Sequence, residues 1–192
     1  MGAPQEAFGH IAQAFEISER AAAEIATIRK DATLTRAGQS IAIERALKAG
    51  PIGHLKQLRS DVDKRLSDAT GQRSVLRDRV TGADNFPKSL KQEVRQYLRE
   101  LEPKERMKMI QTDDPLIREA VVSAPHFLSG LPQDVWEHAV TAAVEAVHGE
   151  HLKAIDALEA AYSEAQAALQ VASDDIQRAA EIDAGEFAKL AA

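Results

Sequence analysis

The chain has 192 residues, 44% of them hydrophobic but only 4% aromatic, and a formal net charge of −6. It has no cysteine, which excludes disulfides, thiolate metal sites and a cysteine nucleophile and fits a reducing compartment. No apolar run approaches the roughly 18 residues that span a bilayer, so no membrane contact is predicted and the expected location is the cytoplasm of the producing cell.

The first ten residues, MGAPQEAFGH, have neither a basic n-region nor a continuous apolar h-region, so no secretory leader is expected. Gly2 is a poor acylation site, because Glu6 stands where Ser or Thr is needed. Charge is unevenly distributed. Residues 1–80 carry 13 Lys/Arg against 10 Asp/Glu, residues 81–131 carry 8 against 8, and residues 132–192 carry 3 against 12. The acidic last third is a poor partner for a phosphate backbone and a better one for a basic helix.

The seven prolines (Pro4, Pro51, Pro87, Pro103, Pro115, Pro125 and Pro132) all fall where helices should begin. A first-turn proline costs nothing, since its missing N–H would be unpaired there. The first helix is predicted from about Pro4 to Thr33, on a stripe of Phe8, Ile11, Phe15, Ser18, Ala22, Ile25 and Ile28 at three-and-four spacing. Thr35 is the expected N-cap of a second segment, Ile41 to Ala49. Gly50-Pro51-Ile52-Gly53 is a break. A helix over about His54–Val80 follows.

Short helices are then predicted over Lys88–Leu101, Lys104–Gln111 and Leu116–Ser123, with Asp114 as an N-cap and an apolar turn at His126–Leu131. From Pro132 to about Glu186 the pattern is nearly unbroken, and from Ile155 it is a strict heptad. Its seam is Ile155, Leu158, Tyr162, Leu169 and Ile176, with alanines between. Gly149 is the expected site of any bend.

The predicted fold is therefore all-α with no sheet. Long, coiled-coil-like helical arms form an antiparallel hairpin around a small central helical tip. The corresponding regions are an N-terminal arm over 1–80 with a break near 50–53, the tip over 81–131, and a long acidic helix over 132–192. A seam of that length needs more cover than a small tip supplies, so the chain is expected to self-associate.

Signals for chemistry are sparse. Glu145-Ala-Val-His148 has the E-x-x-H spacing of a di-iron bundle, but such a site needs a second copy and two more carboxylates. His148 and His151 have no third ligand nearby in sequence. None of the phosphate-loop, dinucleotide, nucleophile-elbow or zinc-protease signatures is present. No enzymatic activity, cofactor or metal is predicted. Basic residues cluster at Lys56–Arg79 and Lys88–Lys108, where Lys88, Lys91, Arg95 and Arg99 share a helix face. Interleaved acids and the near absence of aromatics apart from Tyr97 make nucleic acid the less favoured partner. The turn Pro125-His-Phe-Leu-Ser-Gly-Leu131, with Trp136 beyond it, has two readings. It plugs the tip's own core, which is the favoured one, or it presents Phe127, Leu128 and Trp136 as anchors for a partner.

Two stretches resemble elements of helical proteins encoded in phage and prophage gene clusters. Ile28-Arg-Lys-Asp-Ala-Thr-Leu-Thr-Arg-Ala-Gly38 is similar to a pattern Ile-Arg-x-Asp-x-x-Leu-Ser/Thr-x-x-Gly. Ser123-Ala-Pro-His-Phe-Leu-Ser-Gly-Leu131 is similar to an Ala-Pro-x-Phe-Leu-Ser-Gly-Leu turn. The resemblance implies a virion or assembly component and carries no catalytic residues. The expected function is that of a non-enzymatic interaction or structural protein, a homo-oligomer or part of a larger protein assembly. The alternative is a nucleic-acid-associated or regulatory protein using the two basic faces.

Overall fold

Prolines mark where most of the helices begin. A computed structural model describes residues 3–191, and Gly2 lies outside them. Among the described residues the protein is all-α, with no strand. The helices are α1 (Ala3–Lys30), α2 (Arg36–Ala49), α3 (Pro51–Thr81), α4 (Lys88–Glu100), α5 (Pro103–Ile110), α6 (Pro115–Val122), α7 (Gln133–Ala180) and α8 (Ala184–Ala191). A 3-10 turn at His126–Ser129 sits between α6 and α7. Pro51, Pro103 and Pro115 are first residues of helices, and Pro87, Pro125 and Pro132 each stand one residue before an element.

Both predicted caps form. The Thr35 side chain accepts from the Gly38 N–H, and the Asp114 carboxylate accepts from the N–H groups of Leu116 and Ile117 at 2.8 and 3.2 Å. Such caps satisfy donors that the first helical turn leaves unpaired. The break at 50–53 narrows to Gly50 alone, because Pro51 starts α3 and Gly53 lies inside it.

The helix beginning at Gln133 is less continuous than the sequence predicts. His148 has φ −127° and ψ 22°, outside the helical range, so α7 is two helices joined at a kink. The predicted bend at Gly149 is displaced by one residue. A second interruption follows Ala180: Glu181 adopts a left-handed φ of 56°, and Asp183 restarts the helix by accepting from the Glu186 N–H. The last region is thus three helical pieces.

The chain forms two compact units, Met1–Ala69 with Asp156–Ala192, and Thr70–Ile155. The expected regions 1–80 and 132–192 therefore each contribute to both.

In the first unit, α1, α2, α3 and α7 share a core. Gln166 donates to Asp63 at 2.6 Å, and Arg59 donates to Gln170 at 3.3 Å. As numbers rise along α3 they fall along α7, so the two helices are antiparallel. The His10 and Tyr162 rings lie 6.0 Å apart, and Arg29 meets Glu181 at 2.8 Å, so α1 and α7 run parallel. The N-terminal region thus turns back on itself, α1 one way and α3 the other.

The core joins Tyr162, Leu169 and Ile176 of α7 to Leu55, Leu58 and Val62 of α3 and Ile43 and Leu47 of α2. Leu158 is half-buried against it, and Ile155, at the edge of the second unit, is buried. The α7 seam is thus covered within the chain, which removes the argument for self-association drawn from its length.

The buried face of α1 differs from the predicted stripe. Ala7, Ala14 and Ala21 are buried at heptad spacing, with Ser18 and Ile25, whereas Phe8 is 61% and Phe15 40% exposed. Ile11, Ser18, Ile25 and Ile28 face the core as predicted, but Ala7, Ala14 and Ala21 are buried in place of Phe8, Phe15 and Ala22, because they have no bulk beyond Cβ and let α1 approach closely. A phenyl ring would hold the helices apart. Ala165 and Ala172 play the same part on α7.

These assignments predict unequal substitution costs. Leu169→Ala should destabilise by about 2–5 kcal/mol through lost burial and a residual cavity. Phe8→Ala should change stability by no more than about 0.5 kcal/mol, as for a surface position. Urea unfolding monitored by circular dichroism measures both. A larger loss for Phe8→Ala would mean that the ring is packed.

Candidate functional site

Helix α6 is the centre of the second unit. Its last four residues, Glu119, Ala120, Val121 and Val122, are all buried. Two of its carbonyls are met by side chains from other helices, Ala120 by Arg95 Nη1 at 2.9 Å and Val121 by Trp136 Nε1 at 3.1 Å. A helix end buried without such partners would leave its carbonyls unsatisfied. The Arg77 guanidinium lies 5.8 Å from the Trp136 ring centroid and bonds Glu137 at 2.6 Å. Trp136 therefore serves the unit's own packing and is half-buried.

Glu119 carries a charge into this core. Its carboxylate accepts from the Asn85 backbone N–H at 3.0 Å, the Asn85 side-chain amide at 2.9 Å, the Phe86 N–H at 3.3 Å and Lys91 Nζ at 3.0 Å. Lys91 also donates to Asp84 at 2.9 Å and the Ala83 carbonyl at 3.2 Å. Burial alone would raise the Glu119 pKa. The bonds from Asn85, Lys91 and Phe86 outweigh it and hold the carboxyl below its usual range. Bonds to Asp84 and Glu119 raise that of Lys91, and the Lys91 contact lowers that of Asp84.

The turn Pro125–Leu131 is fastened from behind. The Leu128 N–H donates to Pro125 O at 3.0 Å, Gly130 N–H to Phe127 O at 3.2 Å and Leu131 N–H to His126 O at 3.1 Å. His126 Nδ1 lies 3.0 Å from Leu131 O. Gly130 has φ 65°, and a Cβ there would stand 2.9 Å from Arg106 Nη1. The left-handed φ favours glycine, and a Cβ would push aside the end of the Arg106 side chain.

Arg106 is the fastener. It donates to Leu98 O at 2.7 Å, Leu101 O at 2.9 Å, Arg99 O at 3.1 Å and the Gly130 carbonyl. One planar guanidinium thus closes the C-terminus of α4 and anchors the turn.

Ser129 and Leu131 are buried by this arrangement, while Phe127 is 62% and Leu128 37% exposed. The turn enters its own core through Ser129 and Leu131, as the favoured reading expects, while Phe127 and Leu128 stay outside it. In a 3-10 turn, residues three apart share an edge, so His126 and Ser129 lie together and Phe127 and Leu128 fall on the remaining face. The sequence brings Phe127 and Leu128 to one surface and does not bring Trp136 to it as a third free anchor.

The other resembling stretch is a connector. Asp31 accepts from the Thr33 N–H and hydroxyl, Thr35 caps α2, and Gln39 donates to the carbonyls of Arg29 and Asp31 at the end of α1. Its residues are explained by chain reversal.

The basic faces are largely engaged. Lys91 is buried, and Arg95 and Arg106 donate to carbonyls. Arg65 bonds Glu6 at 2.6 Å, and Arg59 bonds Gln170. Lys88, Arg99, Lys104 and Lys108 remain exposed. Glu145 is exposed, and His148 lies at the kink with its ring 6.2 Å from that of His151. Among the described residues, no three His, Asp or Glu side chains gather where a metal ion could sit.

Spacing could not have revealed Arg106 or the Lys91–Glu119 pair, because each joins residues 24 to 28 positions apart. The local signal that was present is Gly130 after four residues of turn.

No family model matches the chain, and neither a curated protein nor a solved structure resembles it closely enough to serve as a relative.

The ionic cluster predicts a bell-shaped stability profile for the second unit. Glu119 and Asp84 have lowered folded pKa values, so their contribution is present above the unfolded values near about 4 and is lost as pH falls through the folded ones. Lys91 has a raised folded pKa, so its contribution is present below about 10.4 and is lost as pH rises through the folded value. Thermal melts across pH should show a plateau between these limits. Glu119→Gln should lower that plateau and flatten part of the acid limb. An acid limb identical to wild type would contradict the assignment.

Proposed function

We infer that the protein is a non-enzymatic helical protein that acts by binding other protein chains, as a structural or assembly component of a virion. The carrying observation is the Phe127–Leu128 pair, two adjacent large apolar side chains exposed on a turn that is fixed from behind. Exposed apolar side chains lose solvation, and a fixed backbone means that binding them costs little further ordering. Aromatic anchors of this kind contribute disproportionately to interfaces.

The resemblance to phage-encoded helical proteins supports the virion setting, because one of its two motifs is this turn and contains both exposed residues. Oligomerisation belongs to the same reading. It rests on exposed residues, since the α7 seam from Leu158 to Ile176 is covered within the first unit. The nucleic-acid alternative draws less support, because Lys91, Arg95 and Arg106 are engaged inside the second unit.

The test compares wild type with Phe127→Asp/Leu128→Asp as bait for proteins from the producing cell and its particles. Both side chains are exposed, so the melting point should stay close to wild type, within what about 0.5 kcal/mol per surface change allows. The protein contact should weaken at least about tenfold. Unchanged capture would remove the turn from the binding surface, and a large drop in melting temperature would mean that the pair is packed.

A further inference from the structure

The second unit also carries a concave counterpart to its exposed turn. A groove of about 760 Å³ lies among α5, α6 and the first part of α7. Val121, Val122 and Ala143 form a buried floor, while Ala139, Ala142 and Ala146 make a low wall along α7. These small side chains leave the concavity open. Its volume falls within the roughly 300–1,000 Å³ typical of occupied pockets. An apolar floor of this kind has no polar group to satisfy and gains by excluding water.

The charges at the two features are opposite. Arg99 lies across Gly130, with its Cγ 3.2 Å from where a Cβ would stand, and the cationic Arg106 anchors the same turn. The groove is rimmed by Asp113, Arg118, Asp134 and His138. Asp113 and Arg118 pair with each other. Asp134, in the first turn of α7, is exposed and has no ion pair among the described residues. The turn thus offers an apolar pair with the exposed Arg99 at its base, and the groove offers an apolar floor with the exposed Asp134 at its edge.

We propose that the groove receives the Phe127–Leu128 turn of a second copy of this chain. The contact is heterologous: one copy supplies the turn and the other the groove, so the first keeps its groove and the second its turn for further assembly or for reciprocal closure. This inference rests on the reading of the protein as an oligomerising assembly component and names the surfaces involved.

Sedimentation of the full chain separates the possibilities. Wild type should sediment above the 20.9 kDa of one chain, increasingly so towards high micromolar concentration. Phe127→Asp removes the turn's anchor and keeps the groove. Ala142→Trp fills the groove from an exposed position and keeps the turn. Each variant alone should weaken association at least about tenfold. An equimolar mixture should restore a two-chain species, because the intact groove of one variant meets the intact turn of the other. Circular dichroism must show that both variants retain wild-type helicity, and Ala142→Ser, which leaves the groove open, should associate like wild type. Variants that associate as wild type does, or a mixture that stays at one chain, would overturn the turn-in-groove contact while leaving oligomerisation through another surface intact. Wild type that stays monomeric but captures another protein through Phe127 would overturn the second copy as occupant and leave the proposed function standing.

Discussion

Glu119 is a carboxylate taken out of water in the middle of a short helix, and the second unit is arranged to meet it. Desolvating a charge is costly unless it is paired and hydrogen-bonded. Here Asn85 and Phe86 supply backbone donors, the Asn85 amide supplies another, and Lys91 supplies the opposite charge. The four bonds tie α6 to the segment before α4 and to α4 itself. A well-packed apolar pair in place of Lys91 and Glu119 could be as stable. What the ionic pair adds is a set of directed bonds, four to one carboxylate, between α6 and the 85–91 stretch.

With α4 fixed at one end by Lys91, its other end is closed by Arg106. That guanidinium takes three carbonyls from residues 98–101 and reaches the carbonyl of Gly130. The chain of dependence runs from a buried acid, through a helix, to a cation, and then to a turn with two apolar side chains outside. The exposed pair is therefore carried on a stiff support. The first unit is held differently, by a seam in which Ala7, Ala14, Ala21, Ala165 and Ala172 bring helices close and Leu169, Ile176 and Tyr162 supply the bulk.

The helical class, the proline-marked starts and the Thr35 and Asp114 caps were legible because each depends on neighbours within one turn. The kink beside Gly149 was nearly so, since a glycine weakens a helix wherever it falls. The buried face of α1 was legible at Ile11, Ser18, Ile25 and Ile28 and not at the other three positions of the stripe. Phe8, Phe15 and Ala22 lie one residue along from Ala7, Ala14 and Ala21, and both sets keep heptad spacing. The sequence prefers the larger residues, whereas packing against two other helices prefers the smaller ones. At the candidate site the turn and its glycine were visible, but whether Phe127 faced in or out depended on Arg106, and no spacing rule links residues 106 and 130. Lys91 was counted among surface cations for the same reason, because its partner is 28 positions away.

The Pro125–Leu131 turn is an ordered, outward-facing platform before any partner arrives. Amide hydrogen exchange in dilute protein tests it most directly. The N–H groups of Leu128, Gly130 and Leu131 each donate within the turn, so they should be protected well above the unstructured rate. Arg106→Ala should release that protection while α1 and the α7 seam of the first unit stay protected. Exchange of these three amides at the unstructured rate in the wild-type protein would contradict the account.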